Sequence, residues 1–175
     1  MLAAAVVLLG GCKTLGPATM SASPAPGPGL TELAHQAAER MTAGNAALKN
    51  SGPMIAATFV DIDDLTRSST FGRISAELIA SALARRGLNV REVKMRDSLF
   101  IEEKVGELIL SRQVKRLSER YNARSILMGT YAQGQDYVYV SARIVRATDA
   151  RVLGSADFRL PLDNNARALL GESGW

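Results

Sequence analysis

Residues 125–160 of the chain read SILMGTYAQGQDYVYVSARIVRATDARVLGSADFRL, three strand-like runs separated by turn-forming residues. The runs cover residues 125–131, 137–146 and 151–160. In the central run apolar and polar side chains alternate, as expected of an antiparallel strand with one buried and one exposed face. Its apolar positions are Val138, Val140, Ala142 and Ile144, and its other positions are Tyr137, Tyr139, Ser141 and Arg143. The stretch therefore predicts an antiparallel meander at the end of a domain.

Two further strands and three helices are predicted before the meander. Residues 54–60, MIAATFV, are apolar without alternation, which is typical of a central strand covered on both faces. Residues 88–93 predict the second strand. The helices are expected at residues 30–41, along the apolar stripe from Phe71 to Leu83, and at residues 111–121.

The helix that contains Phe71 has clear signals at both ends. Residues 68–70 offer hydroxyl side chains for its N-cap. Arg85 and Arg86 lie in its last turn, where the helix dipole favours cations, and Gly87 can adopt the left-handed conformation that ends a helix. We therefore expect this helix to connect the first two strands.

The order of these elements predicts the fold class. Crossovers between parallel strands are right-handed, and a sheet order of 2-1-3-4-5 places the two crossover helices on opposite faces. We predict an α/β three-layer sandwich: a mixed five-stranded sheet with a C-terminal antiparallel meander and helices on both faces. The composition, 47% hydrophobic and 22% charged over 175 residues, suits one such globular domain.

The N-terminus predicts export and lipid attachment. Residues 1–9 are apolar and too few to cross a bilayer, but they suit the hydrophobic region of a signal peptide. The sequence Leu9-Gly10-Gly11-Cys12 that follows resembles a bacterial lipobox, although no Lys or Arg precedes the apolar run. Cys12 is the chain's only cysteine, so we expect no disulfide. We predict lipidation at Cys12, with residues 1–11 removed.

The region after Cys12 predicts how the domain is held at the membrane. Residues 12–29 begin with the lipidated cysteine and continue as a tether rich in Pro, Gly, Ser and Ala. The domain proper is expected at residues 30–161, and residues 162–175 form a tail with at most a short helix. Lys13 follows Cys12 at a position where an aspartate would resemble an inner-membrane retention signal. An outer-membrane, lipid-anchored protein that faces the periplasm is expected.

Polar residues beside the first and third strands suggest a ligand or partner site. In a doubly wound sheet, ligands bind where neighbouring strands feed helices on opposite faces. Asp61, Asp63, Ser69 and Thr130 would line that crevice. Alternatively, the aspartates only form the turn before the helix. A phosphatase that uses an aspartate and Mg²⁺ is not expected, because no acidic pair follows residues 102–103.

Basic and aromatic residues offer a second candidate surface. Arg112, Arg116 and Arg120 share one side of the third helix and would face an anionic partner or solvent. Tyr137 and Tyr139 would form a binding surface or pack under a helix. His35 is the only histidine and lies in the first helix, which argues against a Ser-His-Asp triad. No enzyme activity, cofactor, metal or nucleic-acid partner is expected.

Four runs of sequence resemble the FlgO family of bacterial outer-membrane lipoproteins. They are IAATFVDIDDL (55–65), SSTFGRISAELIASALARRGLNVRE (68–92), GELILSRQ (106–113) and ILMGTYAQGQDYVYVSARIVRATDARVLGS (126–155). The resemblance implies a non-enzymatic role in stabilising or assembling the flagellum at the outer membrane, through contacts with basal-body or other envelope proteins. The element order also resembles LpoB-like and CsgG-like lipoproteins. An accessory role in peptidoglycan synthesis or secretion is therefore the alternative.

Overall fold

The computed structural model describes residues 27–91 and 119–171. The predicted signal peptide, Cys12, most of the tether and the start of the third predicted helix lie outside these ranges. The helices are α1 (Leu30–Thr42), α2 (Ala46–Lys49), α3 (Thr70–Arg85) and α4 (Asn164–Leu170), and residues 119–121 are also helical. The strands are β1 (Met54–Ala56), β2 (Val60–Asp61), β3 (Val90–Arg91), β4 (Ser125–Gln133), β5 (Tyr137–Arg146) and β6 (Val152–Pro161). Within the described ranges no helix is long and apolar enough to span a membrane.

The sheet has the predicted topology. Its order is β3-β1-β4-β5-β6, with parallel pairing among β3, β1 and β4 and antiparallel pairing from β4 to β6. This is the expected 2-1-3-4-5 order, so the predicted α/β class and the C-terminal meander are confirmed. The two turns lie where the sequence indicated, after Gln133 and after Arg146.

The first predicted strand is broken, which gives six strands instead of five. Ala56 pairs with Leu127, and Val60 pairs with Thr130. The chain therefore advances four residues from β1 to β2 while β4 advances three. The extra residue is a β-bulge, which reverses the side-chain alternation beyond it. The prediction of one continuous strand over residues 54–60 is therefore wrong, and β2 pairs with β4 alone.

Two glycines explain how the chain accommodates this bulge. Phe59 is fully buried, and a Cβ on Gly129 would lie 2.8 Å from its ring. A Cβ on Gly72 would lie 2.3 Å from the Phe59 carbonyl oxygen, so the start of α3 touches the bulged backbone. The Ser68 hydroxyl donates to the same carbonyl at 2.9 Å. The bulge therefore turns Phe59 into the core between the sheet and α3.

One face of the sheet is covered by helices α1, α3 and α4. Helix α1 packs on β6 and on α3, and α3 packs on β4 and α4. Small side chains allow the helices to approach, since Ala34, Ala37 and Ala38 are fully buried in this core. At the ends of the two helices, Arg86 Nε donates to Thr42 Oγ1 at 2.7 Å, so the C-terminal ends of α1 and α3 lie close together. We call this side the packed face.

Part of the opposite face has its own smaller core. It contains Ile55, Ala123, Ile126 and Ala147, with Tyr121 from the helical turn at residues 119–121 packed against them. Helical structure therefore contacts both faces, as predicted. This second core covers β1 and the start of β4, and it does not include the outward side chains of β5 and β6.

The short helix suggested for the C-terminal tail is α4. The Asp163 carboxylate caps it by accepting from the Ala166 N–H at 2.8 Å, and Gly171 ends it with φ of 87°. Leu162 and Ala166 are buried in the main core. The tail segment up to residue 171 thus completes the packed face.

Candidate functional site

The outward side of the meander forms a shallow groove. The groove has a volume of about 380 Å³. It is lined by Ile62, Thr130, Ala132, Tyr139, Val140, Ser141, Asp157, Phe158 and Arg159. Cross-strand pairs place Thr130 beside Ser141 and Ser141 beside Asp157. We call this surface the sheet groove; it combines apolar, aromatic and charged side chains in a strip across three strands.

Two large apolar side chains of the sheet groove are exposed. Tyr139 is 50% exposed and Ile62 is 54% exposed. Soluble domains do expose single apolar residues, but here the two line one concave surface. In the part of the chain that the structure describes, the Tyr139 ring is half exposed on this surface, which favours the interpretation of Tyr139 as part of a binding surface.

An arginine and two tyrosines form a connected surface at one end of the groove. The Arg159 guanidinium lies 4.4 Å from the centroid of the Tyr137 ring, within the range of a cation–π contact. The Tyr137 and Tyr139 rings are 6.4 Å apart between centroids. Tyr and Arg are residue types enriched at protein interfaces.

The β-bulge explains how Ile62 reaches the groove. The Ile62 N–H donates to the Tyr131 carbonyl at 2.9 Å, which continues the pairing of β2 with β4 for one more residue. The chain then turns: the Asp61 carboxylate accepts from the Asp63 N–H at 2.9 Å, and Asp61 N–H donates to the Arg67 carbonyl at 3.0 Å. The predicted aspartate pair therefore flanks Ile62 in a tight loop at the carboxyl end of β2.

Asp64 stabilises the same loop. Its carboxylate accepts from the Thr66 hydroxyl at 2.6 Å and from the Thr66 N–H at 3.0 Å. The hydroxyl hydrogen bond, followed by the backbone one, lowers the pKa of Asp64, because both favour the ionised carboxylate. Asp61 and Asp64 thus each bond to a backbone N–H two residues ahead, as aspartates in turns do.

The remaining residues that were predicted to line the crevice have different roles in the structure. The Ser69 hydroxyl accepts from the Gly72 N–H at 3.2 Å and is the N-cap of α3. Thr130 lines the sheet groove, opposite Val60 in the β2–β4 pair. The structure brings Thr130 together with Ile62, and it places the Asp61, Asp63 and Ser69 side chains in the loop and cap beside the groove.

The predicted basic surface is described only at its end. Arg120 lies with its guanidinium 5.6 Å from the Tyr121 ring centroid. Arg112 and Arg116 lie outside the described residues, as does Cys12. Within residues 27–91 and 119–171, no cluster of three His, Cys, Asp or Glu side chains is arranged to hold a metal ion.

Sequence reasoning missed five residues of the groove: Ile62, Ala132, Asp157, Phe158 and Arg159. No pattern in the sequence distinguishes Ile62 from the aspartates that flank it. Asp157 and Arg159 follow from the alternation in β6, where they share a face with Ser155 and lie opposite Ser141 and Tyr139. The alternation in β6 indicates Asp157 and Arg159, just as the alternation in β5 indicates Tyr139.

Solved structures of similar fold come from bacterial lipoproteins. The C-terminal domain of LpoB from Escherichia coli superposes with a TM-score of 0.51 at 10% identity, covering 73% of this chain and 97% of that chain. The LpoB C-terminal domain from Salmonella enterica gives 0.49 at 10% identity, covering 75% and 94%. Lipoprotein GNA1162 from Neisseria meningitidis gives 0.46 at 14% identity, covering 65% and 82%. At such identities the likeness to E. coli LpoB shows a shared fold only. No curated protein matches the sequence.

The family comparison is more specific. The model of the family described as "FlgO protein" matches residues 35–165, from α1 to the start of α4. The match includes the loop at residues 61–69 and every residue that lines the sheet groove. This family match supports the general classification as a cell-envelope lipoprotein. The chain belongs to the FlgO family.

Proposed function

We propose that this protein is an outer-membrane lipoprotein, anchored through Cys12, that stabilises or assembles the flagellum by binding other envelope proteins. The observation that carries the proposal is the FlgO family match over residues 35–165. The composition of residues 13–29, rich in Pro, Gly, Ser and Ala, suits a tether between Cys12 and the domain. We expect a partner close to the outer membrane.

The geometry favours binding over catalysis. The sheet groove is shallow and open, whereas catalytic sites usually enclose their substrates and hold titratable groups in perturbed environments. In the described part of the chain, the carboxylates whose pKa is lowered are Asp64 and Asp149, and both bond to turn backbone. The role we propose is accordingly non-enzymatic, without metal or cofactor.

The sheet groove is the partner surface that we propose. Thr130, Tyr139 and Arg159 would contact the partner directly, and the loop with Asp61 and Asp63 would border it. Ser69 would act on this loop by capping α3. Arg112, Arg116 and Arg120 remain candidates for a separate contact with an anionic partner.

The anchor and the role are tested together in a deletion strain that is complemented with the wild type or with Cys12→Ser. We expect swimming and intact flagella with the wild type only. We also expect Cys12→Ser protein to move from the outer-membrane fraction to the soluble periplasm, because it lacks the acyl chains. Unchanged membrane partition would refute the anchor. Normal swimming of the deletion strain with a defect in peptidoglycan synthesis or secretion would favour the alternative accessory role.

The groove is tested with a charge placed on it. Tyr139→Asp should abolish complementation of swimming while the protein remains folded, because it removes the exposed ring and places a carboxylate opposite Arg159, which would otherwise contact the partner. Val152→Asp is the matched control, since Val152 is 47% exposed on β6 and does not line the groove. Circular dichroism checks folding. Full swimming with Tyr139→Asp would contradict the assignment of the groove.

A further inference from the structure

A second pocket lies at the other end of the sheet, near the start of β4. It has a volume of about 400 Å³ and a mixed polar and apolar lining. Its walls are Asn45, Leu48, Asn50, Ser51, Arg124, Arg146, Thr148 and Leu153. We call it the Arg124 pocket. None of its residues lines the sheet groove, so the proposed function does not use it.

Arg124 is held in place by its own backbone and by a glycine. Its N–H donates to the Pro53 carbonyl at 2.7 Å, and its carbonyl accepts from the Ala147 N–H at 3.0 Å. Its side chain crosses Gly52, where a Cβ would lie 2.7 Å from Arg124 Cδ. Gly52 has φ of 84°, a conformation that favours glycine, so both the turn and the arginine require this residue. The guanidinium is exposed, and no carboxylate in the described ranges is paired with it.

Arg146 supplies the second positive charge, and the Asp149 carboxylate would compete with an anionic ligand for its guanidinium. Its Nη1 donates to Asp149 Oδ2 at 3.0 Å, with the two side chains 41% and 48% exposed. Asp149 also accepts from the Arg151 N–H at 3.1 Å, and that hydrogen bond is the main reason why the pKa of Asp149 is lowered. Among the described residues that line the pocket, the charged side chains are therefore the two arginines, and Asp149, which pairs with Arg146, offsets part of their positive charge.

The apolar walls indicate what kind of anion would fit. Leu153 is half-buried, so its side chain offers apolar surface beside the guanidinium groups, whereas Leu48 is buried in the main core. A free phosphate would leave that surface unused, whereas the last residue of a polypeptide presents a carboxylate and an apolar side chain together. Asn45 donates to the Leu153 carbonyl at 2.8 Å, which fixes one wall. Arginine can hold a carboxylate through two parallel hydrogen bonds.

From this arrangement we propose that the Arg124 pocket binds the free C-terminus of a protein partner that ends in an apolar residue. Arg124 holds the carboxylate, Arg146 adds a second charge-assisted hydrogen bond, and Leu153 contacts the terminal side chain. The inference is independent of the flagellar role, because a peptide can bind here whatever the partner does.

The test is calorimetric titration of the full-length protein, in a non-ionic detergent, with the N-acetylated tripeptide Ala-Ala-Leu. We expect binding of the free acid and none of the C-terminal amide. Arg124→Met keeps the aliphatic contact with Gly52 and should weaken binding by about ten-fold, the effect of losing a charge-assisted hydrogen bond. Asp149→Asn keeps the acceptor for the Arg151 N–H and should strengthen binding about two- to five-fold, because it frees Arg146. Arg143→Met, an exposed arginine of the same strand as Arg146, is the control and should change nothing.

Three results would overturn the proposal. Equal binding of the acid and the amide would exclude the carboxylate as the recognised group. Inorganic phosphate that binds while the peptide does not would make the pocket an anion site without peptide recognition. Preference for a peptide that ends in D-Ala-D-Ala would exclude a protein terminus. Loss of swimming on deletion is a separate readout, so failure here leaves the proposed function unaffected.

Discussion

The packed face and the open part of the opposite face are formed by the same strands, but their side chains differ in burial. On the packed face, Val138, Val140, Ala142 and Ile144 of β5 are at most 2% exposed beneath the helices. On the other side, β5 presents Tyr137, Tyr139, Ser141 and Arg143, and Tyr139 is half exposed. One strand therefore contributes to stability through every second residue and to binding through the residues between them.

The comparison separates positions whose loss should unfold the domain from positions whose loss should affect a partner. Burial of apolar area stabilises the packed face by roughly 25 cal/mol per Å² removed from water. The side chains of the open face contribute little to the free energy of folding, so they can serve recognition of a partner. Phe59 and Ile62 illustrate this division, because they are three residues apart in extended chain and therefore point to opposite sides of the sheet.

The largest expected effect is that of Phe59→Ala. Phe59 is fully buried between Gly129 and the start of α3, so the substitution leaves a cavity. We expect a loss of about 3–5 kcal/mol in the free energy of unfolding. Urea denaturation followed by circular dichroism measures it.

Ile62→Ala is the matched control for Phe59→Ala. Ile62 is 54% exposed, and its truncation should change the free energy of unfolding by no more than about 0.5 kcal/mol. Similar losses for both variants would mean that Ile62 is covered and that the sheet groove is not an open surface. The comparison of the two faces would then fail at this end of the sheet.

The sequence predicts the meander well because its signal is local. Alternation in β5 and the turn residues on each side give the strand bounds, and the Ser69 cap and the end of α3 follow from residue types at known positions. The bulge near Phe59 could not be predicted in this way. A run that is apolar on both sides has no alternation, so nothing in it marks where the phase changes.

The two pockets were harder to predict because each joins segments that are distant in the sequence. The sheet groove needs the pairing of β4, β5 and β6 together with the loop at Ile62. The Arg124 pocket needs residues 45–51 beside the turn after β5. Thr130 was predicted from the rule about strand ends, whereas Arg124 lies at the opposite ends of the parallel strands, where that rule predicts nothing.

An intermediate effect is expected from Ser69→Ala. The Ser69 hydroxyl satisfies the Gly72 N–H at the start of α3, and loss of such a cap typically costs about 1 kcal/mol. Ser69→Asn keeps a capping oxygen and should retain the stability of the wild type. Thermal unfolding of the three proteins distinguishes a cap from a ligand-binding hydroxyl. If the three proteins are equally stable and both variants lose partner binding, Ser69 is a binding residue and its hydroxyl does not stabilise α3.

A gain in stability is expected at Ser75, a polar residue within the packed face. Its side chain is fully buried in α3, and in the described part of the chain its hydroxyl has no hydrogen-bond partner. A buried hydroxyl without a partner is destabilising, and alanine also has the higher helix propensity. Ser75→Ala should therefore stabilise the domain by about 1 kcal/mol, measured by urea denaturation.

Ser81→Ala gives the helix-propensity part of this gain alone, because Ser81 is exposed on the same helix. The difference between the two variants then measures the cost of burying the Ser75 hydroxyl. If Ser75→Ala instead destabilises the domain, the hydroxyl is hydrogen-bonded in solution, for instance to a carbonyl one turn earlier in α3. The packed face would then contain a polar contact that contributes to stability, and the contrast with the open face would be one of degree.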